Sequence, residues 1–466
     1  MALNPRMYAL LCAALVFSTS ALAQIGTRFP SEKKIVKDPV TGTMLTFLTS
    51  QPHGDSKIYP THPQWTSDGK WVVFRSNMVR GGEAMAVNED TGAIVQVSEG
   101  GYSGMLNLAR KSMKLYFMRN PDRRPVERAR RAAGRIEVVE VDLAKLFADS
   151  EAGTLKEASA YQRVSATLAP ELGAGGDMAL DADEQWAYFR IGTEEAARHL
   201  TPGTALKPSF GPRNMGAGPS GIARVNIHTG EVRHVVSVPF QVGHIQANLY
   251  QPGEIVFCWE TGGKSPQRTW TVLADGSGLR PLYPEADYEW VTHEAVISKD
   301  EVAMAIMGHR PVPVPAAAAA AAANPNAPVA AGTAVDGANP GQDGGWGPTG
   351  TREKPSGLAI VNLRTREMSI VGQTPSGSGL WHVHGSNDGR WAVGDDFSRS
   401  VYLIDRKTRE MITLTAGHKT TAADHTHPTF NADGTRIEIQ SAMLSKDGRT
   451  MNICIVPVPD AWLKRP

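Results

Sequence analysis

His62-Pro-Gln-Trp-Thr-Ser-Asp-Gly-Lys-Trp-Val-Val-Phe-Arg-Ser76 reads as strand, tight turn, strand. Ser67-Asp-Gly69 supplies the turn chemistry, and Trp71-Val-Val-Phe74 is the β-branched and aromatic run expected of the strand that follows. The same pattern recurs in weaker form at Leu108–Phe117, Leu180–Phe189, Tyr250–Phe257, Ile297–Met304, Gly385–Val393 and Pro428–Ile439, which makes seven copies. Most copies are followed by a second hairpin with its own turn, as in Ala86–Val95, Ile222–Glu231, Thr271–Gly278, Leu358–Glu367 and Val401–Glu410. Two hairpins per unit give a four-stranded antiparallel blade. Seven such units predict an all-β, seven-bladed β-propeller. The run Thr43–Thr49 is expected to pair with the last blade, near Val456, closing the ring and hiding its edge strands.

The spacing of the units breaks in two places. The basic, Ala-rich stretch Arg123–Arg135 reads as a surface loop or short helix. The Pro/Ala/Gly tract at about 310–356, which includes Ala316–Ala323, lacks the apolar side chains to bury and is expected to be a disordered insertion between strands. One propeller domain over 24–466 accounts for the remainder.

Residues 1–23 have the form of a secretory signal: Arg6, an apolar core Tyr8–Phe17, and Ala21-Leu-Ala23 before the expected cleavage. That apolar core is too short to span a bilayer, and no later segment is a candidate span. A periplasmic or secreted protein is therefore expected. Of the cysteines beyond this segment, Cys258 and Cys454 lie in apolar strand-like runs and read as buried free thiols, a secreted context permitting a bridge. With 48 basic and 47 acidic side chains the formal charge is +1, which argues against nucleic acid as the main partner.

Ligands of propellers sit over the central channel, so the residues just upstream of each repeat's turn bear most on function. They are rich in histidine. His62, His244, His293, His382, His384, His425 and His427 recur at that phase, seven of the chain's thirteen. In Asp424-His-Thr-His-Pro428 the two imidazoles fall on one side of an extended backbone, pre-forming half a coordination shell. A metal or acid–base site at the channel mouth follows. Arg224, Arg268 and Lys264, the last two flanking a Gly-rich turn, are candidates to bind an anionic ligand. There is no Gly-x-Ser-x-Gly elbow, which disfavours a serine hydrolase.

Gly243-His-Ile-Gln246, Glu254–Gly263, Trp290-Val-Thr-His-Glu294 and Asp424–Pro428 resemble, in the same order, motifs of the oligogalacturonate lyases. Asp38–Gly42 and Tyr59–Trp65 are similar as well, so the likeness covers most of the chain beyond the signal-like segment. The resemblance implies a seven-bladed propeller that cleaves short pectic fragments by β-elimination with a divalent metal, typically Mn²⁺. Its substrate would be an acidic oligosaccharide. By the same resemblance His293, His425 and His427 match metal ligands and His244 matches a catalytic base. A fourth family ligand, a glutamine, falls on Ala422 here, leaving water, His384 or another side chain to complete the shell. The family's catalytic arginine has Arg224 and Arg268 as candidates, while Arg268, Lys264 and His384 are candidates to bind substrate. The rival reading is a non-catalytic, TolB-like periplasmic propeller that binds a protein or sugar.

Overall fold

The computed structural model describes residues 24–121, 134–210, 214–261, 265–286, 289–307, 356–374 and 379–465. They form seven antiparallel sheets, five of four strands and two of five. The innermost strands, in blade order, are Asp55–Lys57, Ser103–Leu108, Met178–Leu180, Val242–Ala247, Trp290–Ser298, Val383–Gly385 and Thr429–Phe430. This is the seven-bladed propeller that the repeat predicts.

The turns show why the repeat is legible. In the first blade the Thr66 hydroxyl donates to Asp68 and accepts from Trp71 N–H, while Asp68 also takes the N–H of Lys70. Ser386, Asp388, Arg390 and Trp391 repeat that set in the sixth blade. The outer hairpins share another device. Asn88, Asn226, Asn362 and Asp405 each accept N–H bonds from residues two and three positions on, capping a turn with the side chain. Gly92 and Gly230 then take positive φ, but Arg366 and Arg409 hold the same place at φ +67° and +63°.

The two extra strands, Arg28–Phe29 and Lys34–Lys37, both come from the beginning of the described chain, as does Met44–Phe47, the fourth strand of the seventh blade. Lys34–Lys37 and Met44–Phe47 add to the seventh blade, with Thr46 opposite Ile455 and Phe47 opposite Cys454. The pairing expected for Thr43–Thr49 is thus present, with a further strand outside it. Arg28–Phe29 adds to the first blade against Ile94 and Val95. Apolar side chains pack between neighbouring blades. Trp71 of the first blade stacks on Phe147 at 4.1 Å. Phe147 belongs to the helix Leu143–Ala152, which buries Leu143, Leu146 and Phe147 against the second blade and which the strand-based repeat does not foresee.

Residues 1–23, most of the basic stretch (122–133) and the segment 308–355 lie outside the described residues. The strands flanking that last segment, Glu301–Met307 and Gly357–Asn362, pair directly within the fifth blade, Ile306 opposite Gly357. Cys258 and Cys454 are both buried and unbridged. Among the described residues no helix is long and apolar enough to cross a membrane.

Candidate functional site

The inner strands do not run straight into the channel. In the fourth blade the register shifts between Gly243 and Gln246, and in the fifth between Thr292 and Ala295. Each shift is a bulge that re-aims one side chain. The residues so placed are His244 and His293, at φ +49° and +50°, and His427, two residues before the inner strand of the seventh blade, has φ +52°. Left-handed backbone at a non-glycine residue costs roughly 1–3 kcal/mol and tends to be retained where function needs the geometry. The second and third blades place Gly104 and Gly176 at their corresponding positions, φ +70° and +84°. A Cβ on Gly104 would stand 1.8 Å from the Gly176 carbonyl oxygen, so the close approach of these two blades admits no side chain there. The histidines therefore gather on the fourth to seventh blades.

Two groups of side chains result. The first surrounds His244. Its Nδ1 lies 3.2 Å from Glu294 Oε1 and its Nε2 3.4 Å from Glu260 Oε2. Arg268, almost wholly buried, bonds Glu294 through Nε at 3.0 Å and reaches toward Glu260 at 3.8 Å. Burial pulls the His244 pKa down, but the hydrogen bond and charge of Glu294 outweigh it, and the net shift is upward. For Glu294 burial is overcome by Arg268 and His244, which hold the carboxylate ionised.

The second group is a cluster of imidazoles centred on His382. Its ring centroid lies 4.1 Å from that of His293, 3.9 Å from His427 and 5.1 Å from His425. His293 Nδ1–H donates to the Trp381 carbonyl at 2.8 Å, and His382 Nδ1–H donates to Asp395 at 3.2 Å. Neither acceptor carries a proton to give, so both rings are left with Nε2 as their basic atom. Burial holds His293 and His382 well below the usual histidine pKa and His425 at about 4. His427 Nε2 and His425 Nδ1 are buried without a well-formed hydrogen bond, facing Asp424 Oδ1 at 3.4 Å and Asp395 Oδ2 at 3.7 Å. Buried imidazole nitrogens not committed to a protein donor are what a cation requires of its ligands. Among the described residues, two sets of metal-type donors lie mutually within 4.8 Å: His382–Asp395–His425 and His244–Cys258–Glu260.

The two groups meet. His244 and His293 rings lie 6.2 Å apart and nearly parallel, with the half-buried Tyr59 edge-on to both and to His382 and His427, at centroid distances of 5.2–6.4 Å. Tyr59 belongs to a segment that crosses the channel: three residues on, His62 Nε2 bonds the Met178 carbonyl of the third blade at 2.8 Å. Beyond this segment a cavity of about 220 Å³ is lined by Pro60, His62, Pro63, Tyr250 and His384.

The structure thus brings His244, Arg268, His293, His425 and His427 to one end of the channel. Arg224 lies elsewhere, on the third strand of the third blade with its guanidinium 4.4 Å over the Trp186 ring. That position removes Arg224 from the candidates that could touch a ligand of the histidine cluster. His384 lies beyond the crossing segment, where its Nδ1 accepts the Phe430 N–H at 3.4 Å and ties the sixth blade to the seventh. It is a neighbour of the cavity and not of the imidazole cluster. Lys264 falls outside the described residues. The side chain of Ala422 offers no donor atom. Residues that sequence reasoning gave no role are Tyr59, Glu260, Glu294, Asp395 and Arg399, whose guanidinium contacts His425 Nε2. The signal for Asp395 is Gly394-Asp-Asp396, two carboxylates closing an otherwise apolar strand.

No family model matches the chain, and no curated protein does. Solved structures do. An oligogalacturonate lyase in complex with manganese superimposes with a TM-score of 0.66 at 16% identity, covering 95% of this chain and 100% of that one. An oligogalacturonate lyase from Vibrio parahaemolyticus superimposes with a TM-score of 0.65, also at 16% identity, over 94% and 100%. At this identity the likeness is one of fold.

Proposed function

We propose that the protein is a divalent-metal-dependent lyase that cleaves short uronic-acid oligosaccharides, oligogalacturonides among them, by β-elimination. The observation that carries this reading is the near-parallel approach of His244 to His293 at 6.2 Å, which sets a proton-accepting imidazole beside a candidate cation ligand. A fold shared with two oligogalacturonate lyases over nearly the whole chain supports it.

His293, His425 and His427 would hold the cation, manganese being the ion of one neighbouring structure. When bound, such an ion neutralises the substrate's C6 carboxylate and stabilises the charge that develops as C5 loses its proton. His244 takes that proton. The C5–H electron pair becomes the C4–C5 double bond, and the bond from C4 to the glycosidic oxygen breaks. Glu294 and Glu260 on its two nitrogens make His244 a stronger base than a free imidazole, and Arg268 fixes Glu294 in place. Tyr59 is positioned to hand its phenolic proton to the departing oxygen. Burial, reinforced by Glu294, raises its pKa well above 10 and keeps it protonated until then. Arg399, at the other side of the cluster, is suited to pair with a second carboxylate. An exported protein, as residues 1–23 suggest, would meet such fragments outside the cytoplasm.

The test is ultraviolet absorbance of the unsaturated uronate while the protein acts on oligogalacturonides, with added Mn²⁺ or with chelator. Metal-dependent growth of the signal is expected. A flat trace with metal bound would overturn the substrate, and a flat trace with none bound would overturn the lyase reading itself.

A further inference from the structure

The three histidines assigned above to the cation surround a fourth. His382 is the ring that has His293, His425 and His427 all as neighbours, at 4.1, 5.1 and 3.9 Å. It is also the most constrained. Asp395 takes both its main-chain N–H, at 2.8 Å, and its ring Nδ1–H, at 3.2 Å. The other Asp395 oxygen takes the N–H and hydroxyl of Thr426 and the N–H of His427, at 2.8–3.1 Å. One fully buried carboxylate therefore sets His382 on the sixth blade and the His-x-His loop before the seventh. A carboxylate on the far nitrogen of an imidazole is the arrangement by which proteins orient a metal ligand and raise its basicity. No protein group among the described residues hydrogen-bonds His382 Nε2. At His425, by contrast, Arg399 occupies Nε2.

We propose that His382 is itself a ligand of the cation, and that the imidazole-rich set it completes selects zinc- or cobalt-class ions over manganese. The proposal rests on the metal-dependent reading given above and narrows it. The chemistry is that of donor type. Imidazole suits Zn²⁺, Co²⁺ and Ni²⁺, carboxylate and carbonyl oxygens suit Mn²⁺, and intrinsic affinity rises from manganese through cobalt. A cation at His382 Nε2 would meet an imidazole already oriented from its far nitrogen by Asp395, with the rings of His293, His427 and His425 centred 4.1, 3.9 and 5.1 Å from its own.

The experiment is equilibrium binding of Co²⁺, Zn²⁺ and Mn²⁺ to the metal-free full chain by calorimetry, with the visible spectrum of the Co²⁺ form as a second readout. The wild type is expected to take one Co²⁺ per chain at least about tenfold more tightly than Mn²⁺. His382→Ala should weaken Co²⁺ by about 10- to 100-fold and alter the spectrum. His382→Gln, which keeps the side chain's bulk but offers an amide oxygen, should narrow the Co²⁺/Mn²⁺ ratio. His199→Ala, on the outer surface, should change nothing, and unchanged melting of each variant separates ligand loss from misfolding. Wild-type affinity and spectrum in His382→Ala would overturn the proposal while leaving the metal-dependent reading intact. Manganese binding as tightly as cobalt would overturn the selectivity. No binding of any ion by the wild type would overturn both.

Discussion

Asp395 holds His382 by two hydrogen bonds at once, from its main-chain N–H at 2.8 Å and its ring Nδ1–H at 3.2 Å. Since the same carboxylate also fixes Thr426 and His427, two blades share one anchor, and the histidine cluster has a definite geometry before anything binds. Asp395→Asn keeps the shape but turns two N–H-facing acceptors into one acceptor and one misplaced donor. The variant is expected to lose about 10- to 100-fold in metal affinity by calorimetry. It should also lose about 1–3 kcal/mol of stability by denaturant unfolding. Full affinity would show that the anchor does not govern the ligands.

Tyr59→Phe removes only the phenolic oxygen at the meeting point of the two side-chain groups. Lyase turnover is expected to fall by about 10²- to 10⁴-fold, the usual worth of general acid catalysis. Metal affinity should stay as in the wild type. A loss of metal with a normal residual rate would assign Tyr59 to the cluster's architecture instead.

Glu438 is fully buried with no hydrogen-bond partner on either oxygen, Lys57 Nζ being 3.9 Å away. Burial raises its pKa to about 7, against the pull of Lys57, with Glu89 adding to the rise. A carboxyl that binds its proton more tightly folded than unfolded contributes stability that is present below about pH 4.5 and lost as pH rises through about 7. Lys57 carries the mirror image, its pKa lowered by burial to about 8, so its charge costs most below that value. Glu438→Gln should therefore flatten the dependence of unfolding free energy on pH between 4.5 and 7. A wild-type-like slope over that range in the variant would refute the assignment.

Arg409 sits exposed at φ +63° where the first and third blades use Gly92 and Gly230. Relief of left-handed strain, partly offset by the unfolded-state entropy of glycine, should make Arg409→Gly more stable by up to about 1 kcal/mol in chemical denaturation. Destabilisation would mean that the arginine's surface contacts outweigh the strain.

The fold was readable because it is written repeatedly. The Asp-Gly turn after His62, the Asn-x-x-Thr turns at Asn88 and Asn226, and the apolar alternation between them recur with the same hydrogen bonds each time. The helix Leu143–Ala152 occurs once and departs from the period, so no repeat announces it. The site was half legible. Histidines at one phase of a repeat must converge on the axis, which located His244, His293, His425 and His427. Phase alone does not reveal which side of the crossing segment a ring occupies, and that separates His384, on the inner strand Val383–Gly385, from His382 just before it. Arg224, in the third strand of its blade, faces Trp186 of the second, a radial position that its alternating neighbours could not disclose. The carboxylates that orient the rings are scattered over the fourth, fifth and sixth blades and share no spacing with them.

The segment from Tyr59 to Gln64 gives the molecule one further property. Tyr59 faces the histidines, and His62 faces the cavity on the other side while bonding across to Met178. The histidine cluster and the cavity therefore lie on opposite sides of one short stretch of chain, and a change in that stretch is felt by both.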